Sequence, residues 1–281
     1  MTHRRSSFVL ASLLTAGCGE TASDTGDPIG SPGIGSSAAT TGDATSMGDD
    51  TADASDGALD DDLKLDVNTN VDGGPGEVDC TGLTAKIRDF SSSHMDFETF
   101  TGPPTPGLVL PVLGADGTPQ LDPNGPLLRP IWSDESFTDW YHDVPGINQA
   151  FEIDLPLEVQ PTGEYVFDSD AFFPIDGLGF GNEGNNHNFH FTTEVHATFS
   201  YHGGEVFTFR GDDDVWVFVD GKLAVDLGGP HRPLEGTATM DELGLTPGQT
   251  YAMDIFHAER HTGASNFRIV TTIDCFQPPA G

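Results

Sequence analysis

The residues best placed to do chemistry are Arg210-Gly211-Asp212-Asp213-Asp214-Val215-Trp216. Three consecutive carboxylates repel one another ahead of a hydrophobic strand. A bound cation relieves that cost, and hard oxygen donors suit calcium. Neighbouring side chains on a regular strand point to opposite faces, so Asp212 and Asp213 can grip one ion only where the backbone leaves strand geometry. A second constellation is His257, Glu259 and His261. Alternation along a strand puts all three on one face, where two imidazoles and a carboxylate can hold a transition metal and activate water. The helical HExxH spacing is absent. Glu259 next to Arg260 also suggests an ion pair near the acidic turn. Arg210-Gly211-Asp212 spells an integrin tripeptide, but this sequence arises often by chance and its Asp is better used at a metal. Trp132, Trp140 and Trp216 present faces that stack on sugar rings; Trp140 and Trp216 also sit in amphipathic patterns that favour core packing. His187, His190 and His196 are expected to be solvated or hydrogen-bonded. No GxSxG, reactive cysteine or phosphate-binding glycine loop is seen, which argues against an enzyme while leaving a metal-dependent hydrolase as an alternative.

The elements that position these residues read as strands. In Asn188–Tyr201 apolar and polar residues alternate, as in a half-buried antiparallel strand. His202-Gly203-Gly204 turns into 205–210, then 215–219 follows, with Asp220-Gly221 as a hairpin signal into 222–227. Residues 237–245 read as a strand or extended arm, and 250–258 and 266–273 complete the series. This spacing of strands and turns specifies an all-β antiparallel sandwich with long loops. Residues 84–98 and 134–142 are expected to hold short helices, and the Pro- and Gly-rich stretch 101–131 to be loop.

Composition bounds the partners. Across 281 residues, 45 Asp and Glu against 11 Lys and Arg give a formal charge of -34. Phosphate contacts need a basic face, so nucleic acid is excluded and cations are favoured. No apolar run reaches the length that spans a bilayer. Residues 1–18 have Arg4 and Arg5, a short apolar stretch and small residues ending at Cys18. They resemble a bacterial lipoprotein signal, which implies lipidation at Cys18 and, with Gly19 following, an outer-membrane or cell-surface location. Residues 19–79 carry 15 acids and one lysine and read as a solvated tether. Within it, Asp66–Glu77 has the spacing of a calcium loop, but Val71 stands where the sharp turn needs glycine, so acidic linker is preferred. In an exported chain the remaining Cys80 and Cys275 are expected to pair. Residues 80–281 then form the globular domain.

GDDDVWVFVDGKLAVDLGGPH resembles the fibro-slime domain, related to the protective-antigen-type (PA14) domain of adhesins, toxins and glycosidases. The segments KIRDFSSSHMDFE, FTDWYHDVPGIN, FFPIDGLGFG, NFHFTTEVH, LTPGQTYAMDIFHAERH and SNFRI extend the likeness over much of 84–273. The resemblance implies a lectin-like domain in which a cis Asp-Asp pair holds Ca2+ and the ion ligates sugar hydroxyls. Carried over, the pair is Asp212 and Asp213, with Asn266 as a further candidate ligand. Asp214 stands where simpler members often have glycine. Loops around Gly228, Gly229 and His231, and from His261 to Asn266, are expected to shape a carbohydrate pocket used in adhesion or matrix attachment. A matrix protein in which calcium only stiffens the fold is the alternative.

Overall fold

The structure is a computed structural model that describes residue 80 and residues 82–279. Cys18, the tether and the Asp66–Glu77 segment lie outside the described residues. Two antiparallel sheets form a sandwich. The first, six-stranded, has the order β2 (Asn148–Pro156), β1 (Gly82–Phe90), β5 (Phe191–Ser200), β10 (Thr250–Glu259), β7 (Asp214–Val219) and β8 (Lys222–Leu227). The second, five-stranded, runs β3 (Glu158–Val159), β4 (Tyr165–Ser169), β11 (Phe267–Thr271), β6 (Val206–Gly211) and β9 (Leu234–Thr239). Period-2 alternation sends Val195, Val217 and Ile255 from one sheet and Phe207, Phe209, Phe267 and Ile269 from the other into a shared core.

The first sheet is also covered on its outer face. Leu108, Ile131, Phe137, Trp140 and Tyr141 pack onto Trp216, Phe218, Phe256 and Ala258, forming a second core. Trp140 and Trp216 are thus core residues, as expected, whereas Trp132 is exposed. This covering corrects the half-buried expectation for β5. Thr192 is fully buried and donates to the Trp140 carbonyl at 2.6 Å.

The helix expected in 84–98 is instead strand β1, because Leu83, Ala85 and Ile87 alternate into the core. The helix expected in 134–142 is present as α1 (Asp134–Thr138), capped by Ser133 and followed by a 3-10 turn at Asp139–Tyr141. Residues 237–245 divide between the end of β9 and a 3-10 turn at Met240–Leu243. Cys80 and Cys275, 195 residues apart, are disulfide-bonded.

Two polar clusters fix the covering layer and the sheet face. Arg260, fully buried just beyond β10, places Nε 2.7 Å from Asp214 Oδ2. Neither atom makes a well-angled hydrogen bond, so the attraction is chiefly charge to charge. The guanidinium lies 5.0 Å from the Trp140 ring centroid and donates to the carbonyls of Asp96 and Pro130 at 3.2 and 2.8 Å. Asp96 in turn accepts from the Trp132 backbone and the Trp140 indole at 2.6 and 3.0 Å. On the same outer face, His196 lies between Asp254 and Glu194, at 2.7 and 2.6 Å, and Glu194 also pairs with Arg88. Burial opposes the charged imidazole, but the two carboxylates outweigh it and raise its pKa to about 9.

Three outcomes follow from these features. Reducing the disulfide, or replacing both cysteines with serine, lowers unfolding stability in urea by roughly 5 kcal/mol on the loop-entropy model; an unchanged midpoint contradicts the pairing. Arg260→Met leaves Asp214 buried without a counter-charge and costs about 3–5 kcal/mol, part of which Arg260→Met/Asp214→Asn restores. Because the His196 pKa is raised on folding, from 6.5 to about 9, its contribution is complete below pH 6.5 and disappears as pH rises through 9. The stability difference between wild type and His196→Gln therefore shrinks over that interval in pH-dependent denaturation.

Candidate functional site

Three connections cross between the sheets at one end of the sandwich. Asp212-Asp213 joins β6 to β7, residues 228–233 join β8 to β9, and residues 260–266 join β10 to β11. Register brings them together: Ala258 pairs with Asp214 and Val215 with Leu227 in one sheet, while Phe267 and Leu234 both pair with Gly211 in the other. A side chain at Gly211 would have its Cβ 2.6 Å from the Asn266 carbonyl, so the close approach of two crossings requires glycine. The crossings and Thr101-Gly102 surround a cavity of about 600 Å³.

The Asp212–Asp213 peptide bond is cis. Asp212 accepts from the Asn266 backbone N–H at 2.6 Å and from its side-chain amide at 3.0 Å. Asp213 accepts from the His231 backbone at 3.1 Å, the Arg260 backbone at 3.2 Å and His261 Nδ1 at 2.7 Å. These contacts split the pair electrostatically. Burial raises the Asp212 pKa to about 6, despite the Asn266 hydrogen bonds. Burial also pushes Asp213 upward, but the His261 hydrogen bond and Arg260 charge outweigh it and hold the group below its ordinary value. The hydrogen bond to Asp213 raises His261.

Asp214 has a different task. Its side chain is turned away from the cavity, pairs with Arg260 and accepts from the Gly229 backbone at 2.5 Å. The carboxylate that departs from the simpler pattern is therefore a buried anchor. Gly228 and Gly229 do not line the cavity; both are buried. Gly229, with φ 89°, lies so close to Thr105 that a Cβ would sit 2.9 Å from its hydroxyl. These two glycines hold the loop, whereas His231 and His261 line the cavity.

His257, Glu259 and His261 do not assemble into a hydrolytic centre. His257 is enclosed by Phe172, Phe191, Phe209 and Phe267. Burial lowers its pKa to about 4, leaving it neutral. Its Nε2–H donates to the Asp212 carbonyl at 2.7 Å, and Nδ1 accepts from Thr193 Oγ1 at 3.2 Å. Glu259 lines the cavity floor with one carboxylate oxygen buried and unpaired; burial, then Asp213 and Asp212, push its pKa well above the ordinary range. Among the described residues no group of three His, Cys, Asp or Glu side chains can hold a metal. The oxygen set at the cavity wall is two carboxylates and the Asn266 amide. Hard donors of this kind, beside an unpaired buried carboxyl oxygen, fit a calcium ion better than a transition metal.

Sequence reasoning missed Thr101, Gly102 and the Arg260 partner of Asp214. The first two lie in a Pro- and Gly-rich stretch without periodicity. Arg260 carried a signal in being a rare cation beside a strand end, but Glu259 was the nearer partner in sequence.

Known proteins share parts of this sequence. Protein psiD of Dictyostelium discoideum is 43% identical over 216 residues, covering 71% of this chain and 42% of that protein. Protein psiC of the same organism is 42% identical over 210 residues, covering 68% and 41%. The chain thus spans less than half the length of these relatives. Among solved structures, a PA14 sugar-binding domain from an RTX adhesin has 10% identity and a TM-score of 0.32, covering 68% of this chain and 88% of that one. The A domain of epithelial adhesin 6 from Candida glabrata, in complex with Galb1-3GlcNAc, has 13% identity and a TM-score of 0.33, covering 72% and 87%. At these scores the architecture described above rests on its own strand pairing. Residues 168–274, which contain the acidic crossing, the Gly228–His231 loop and Asn266, match the PA14 domain family.

Proposed function

We propose that the domain binds carbohydrate through a calcium ion held by Asp212, Asp213 and Asn266. The observation that carries this reading is the convergence of three sheet crossings on one cavity of about 600 Å³, with both carboxylates and the amide at its wall. Calcium takes roughly six to eight oxygens, more than these side chains supply, and so leaves positions for paired sugar hydroxyls. The match of residues 168–274 to the PA14 domain supports the same reading. His231 and His261 orient Asp213 from the cavity wall, in the manner of outer hydrogen bonds that fix metal ligands. With lipidation at Cys18 and the acidic tether, the domain would be presented at the outer membrane or cell surface for adhesion or matrix attachment. Binding, rather than hydrolysis, is favoured because His257 is walled off from the cavity.

Calcium at about a hundred times its Kd is expected to stabilise the protein by roughly 2.7 kcal/mol, read as a rise in melting temperature. Asp213→Asn is expected to abolish that rise. On glycan arrays, capture should require calcium and be lost with chelator. Stabilisation without capture of any glycan would contradict carbohydrate binding and leave calcium a structural role; an identical response in wild type and Asp213→Asn would contradict the metal assignment.

A further inference from the structure

The outer face of the second sheet carries a charge arrangement that the cation site does not use. Arg268 on β11 and Arg210 on β6 are directly paired in register. Like charges in directly opposed positions are destabilising, and here two of only 11 basic residues are spent on one such pair. The neighbouring register positions are acidic: Asp168 opposes Arg268, and Glu235 opposes Arg210. Neutralisation by these acids is incomplete. Arg268 reaches Asp168 only at 3.5 Å, and its Nε is buried without a partner. Among the described residues Arg210 forms no ion pair.

Both arginines line a cavity of about 580 Å³ together with Asp168, Asp170 and Asn266. Asn266 also lines the cation cavity, so the two spaces meet at one residue. We propose that Arg210 and Arg268 form an oxyanion subsite that receives the carboxylate or sulfate of an acidic sugar whose hydroxyls engage the neighbouring cation site. The oxyanion part stands on the arginine pair alone; the sugar rests on the carbohydrate reading above. Two guanidiniums offer forked donors to a planar or tetrahedral oxyanion and exchange mutual repulsion for charge-assisted hydrogen bonds. The flanking acids limit the ligand to one compact anionic group and repel a polyanion.

The test is calorimetry on the full chain in calcium, with a glucuronate-containing disaccharide and its counterpart in which the carboxylate is reduced to the alcohol. Wild type is expected to bind the acidic sugar roughly tenfold tighter or more. Arg210→Gln/Arg268→Gln should remove the preference and leave calcium affinity unchanged. Inorganic sulfate should compete with the acidic sugar and spare the neutral one; sulfate binding that persists without calcium would identify a free oxyanion as a sufficient ligand and support the pair. Equal affinity of wild type for both sugars, or a preference that survives in the double variant, would overturn the proposal. Asp213→Asn separates the two ideas. Loss of all sugar binding in that variant, with no acidic preference in wild type, sinks the arginine pair alone. Unchanged binding in that variant, with the preference intact, sinks the calcium reading alone.

Discussion

Three adjacent carboxylates cannot share one short connection unless each finds a different answer to their mutual repulsion, and that constraint organises this end of the molecule. Asp214 is taken inward, where Arg260 supplies the counter-charge. Asp213 is held ionised by N–H donors from His231, Arg260 and His261. Asp212 leans on Asn266 alone and has the most elevated pKa of the adjacent Asp212–Asp213 pair. The donors come from both of the other crossings that meet here. The acidic connection is therefore both the site's chemistry and the reason its loops converge.

The Asp214–Arg260 contact also links the site to the rest of the fold. Arg260 contributes its backbone to Asp213, its charge to Asp214 and its Nη1 to the carbonyls of Asp96 and Pro130. Those carbonyls belong to the covering segment that closes the second core over Trp216 and Phe256. Closing that core excludes water from the ion pair, and the ion pair ties the covering segment to the end of β10. Each stabilises the other, because a buried charge is tolerable only when paired, and a pair is strong only when dry.

Much of this was legible in the residues. Strict alternation in 188–201, and short runs at 205–210, 215–219 and 222–227 bounded by turn residues, specified strands, and consecutive acids ahead of VWVFV marked the connection where chemistry belongs. The Cys80–Cys275 pairing was expected from reading the chain as exported, and the two cysteines are disulfide-bonded. Other features had no local signal. Strand β1 was hidden because Ala85-Lys86-Ile87-Arg88 suits either a helix or a strand, and only cross-strand packing against β5 decides. The covering layer was hidden because residues 101–131 have no period; their burial depends on a sheet face that sequence marks as polar, as at Thr192 and Glu194. Gly228 and Gly229 were read as pocket residues, but close contact with Thr105 makes them supports. The charge of Arg260 was visible, but its partner was a matter of topology.

The most direct measurement is a crystal structure from calcium-containing solution. Density for an ion at about 2.3–2.6 Å from oxygens of Asp212, Asp213 and Asn266, lost in Asp213→Asn crystals, is expected if the acidic crossing holds calcium. Millimolar calcium with no such density, and both carboxylates still engaged only by Asn266, His231, Arg260 and His261, would contradict it.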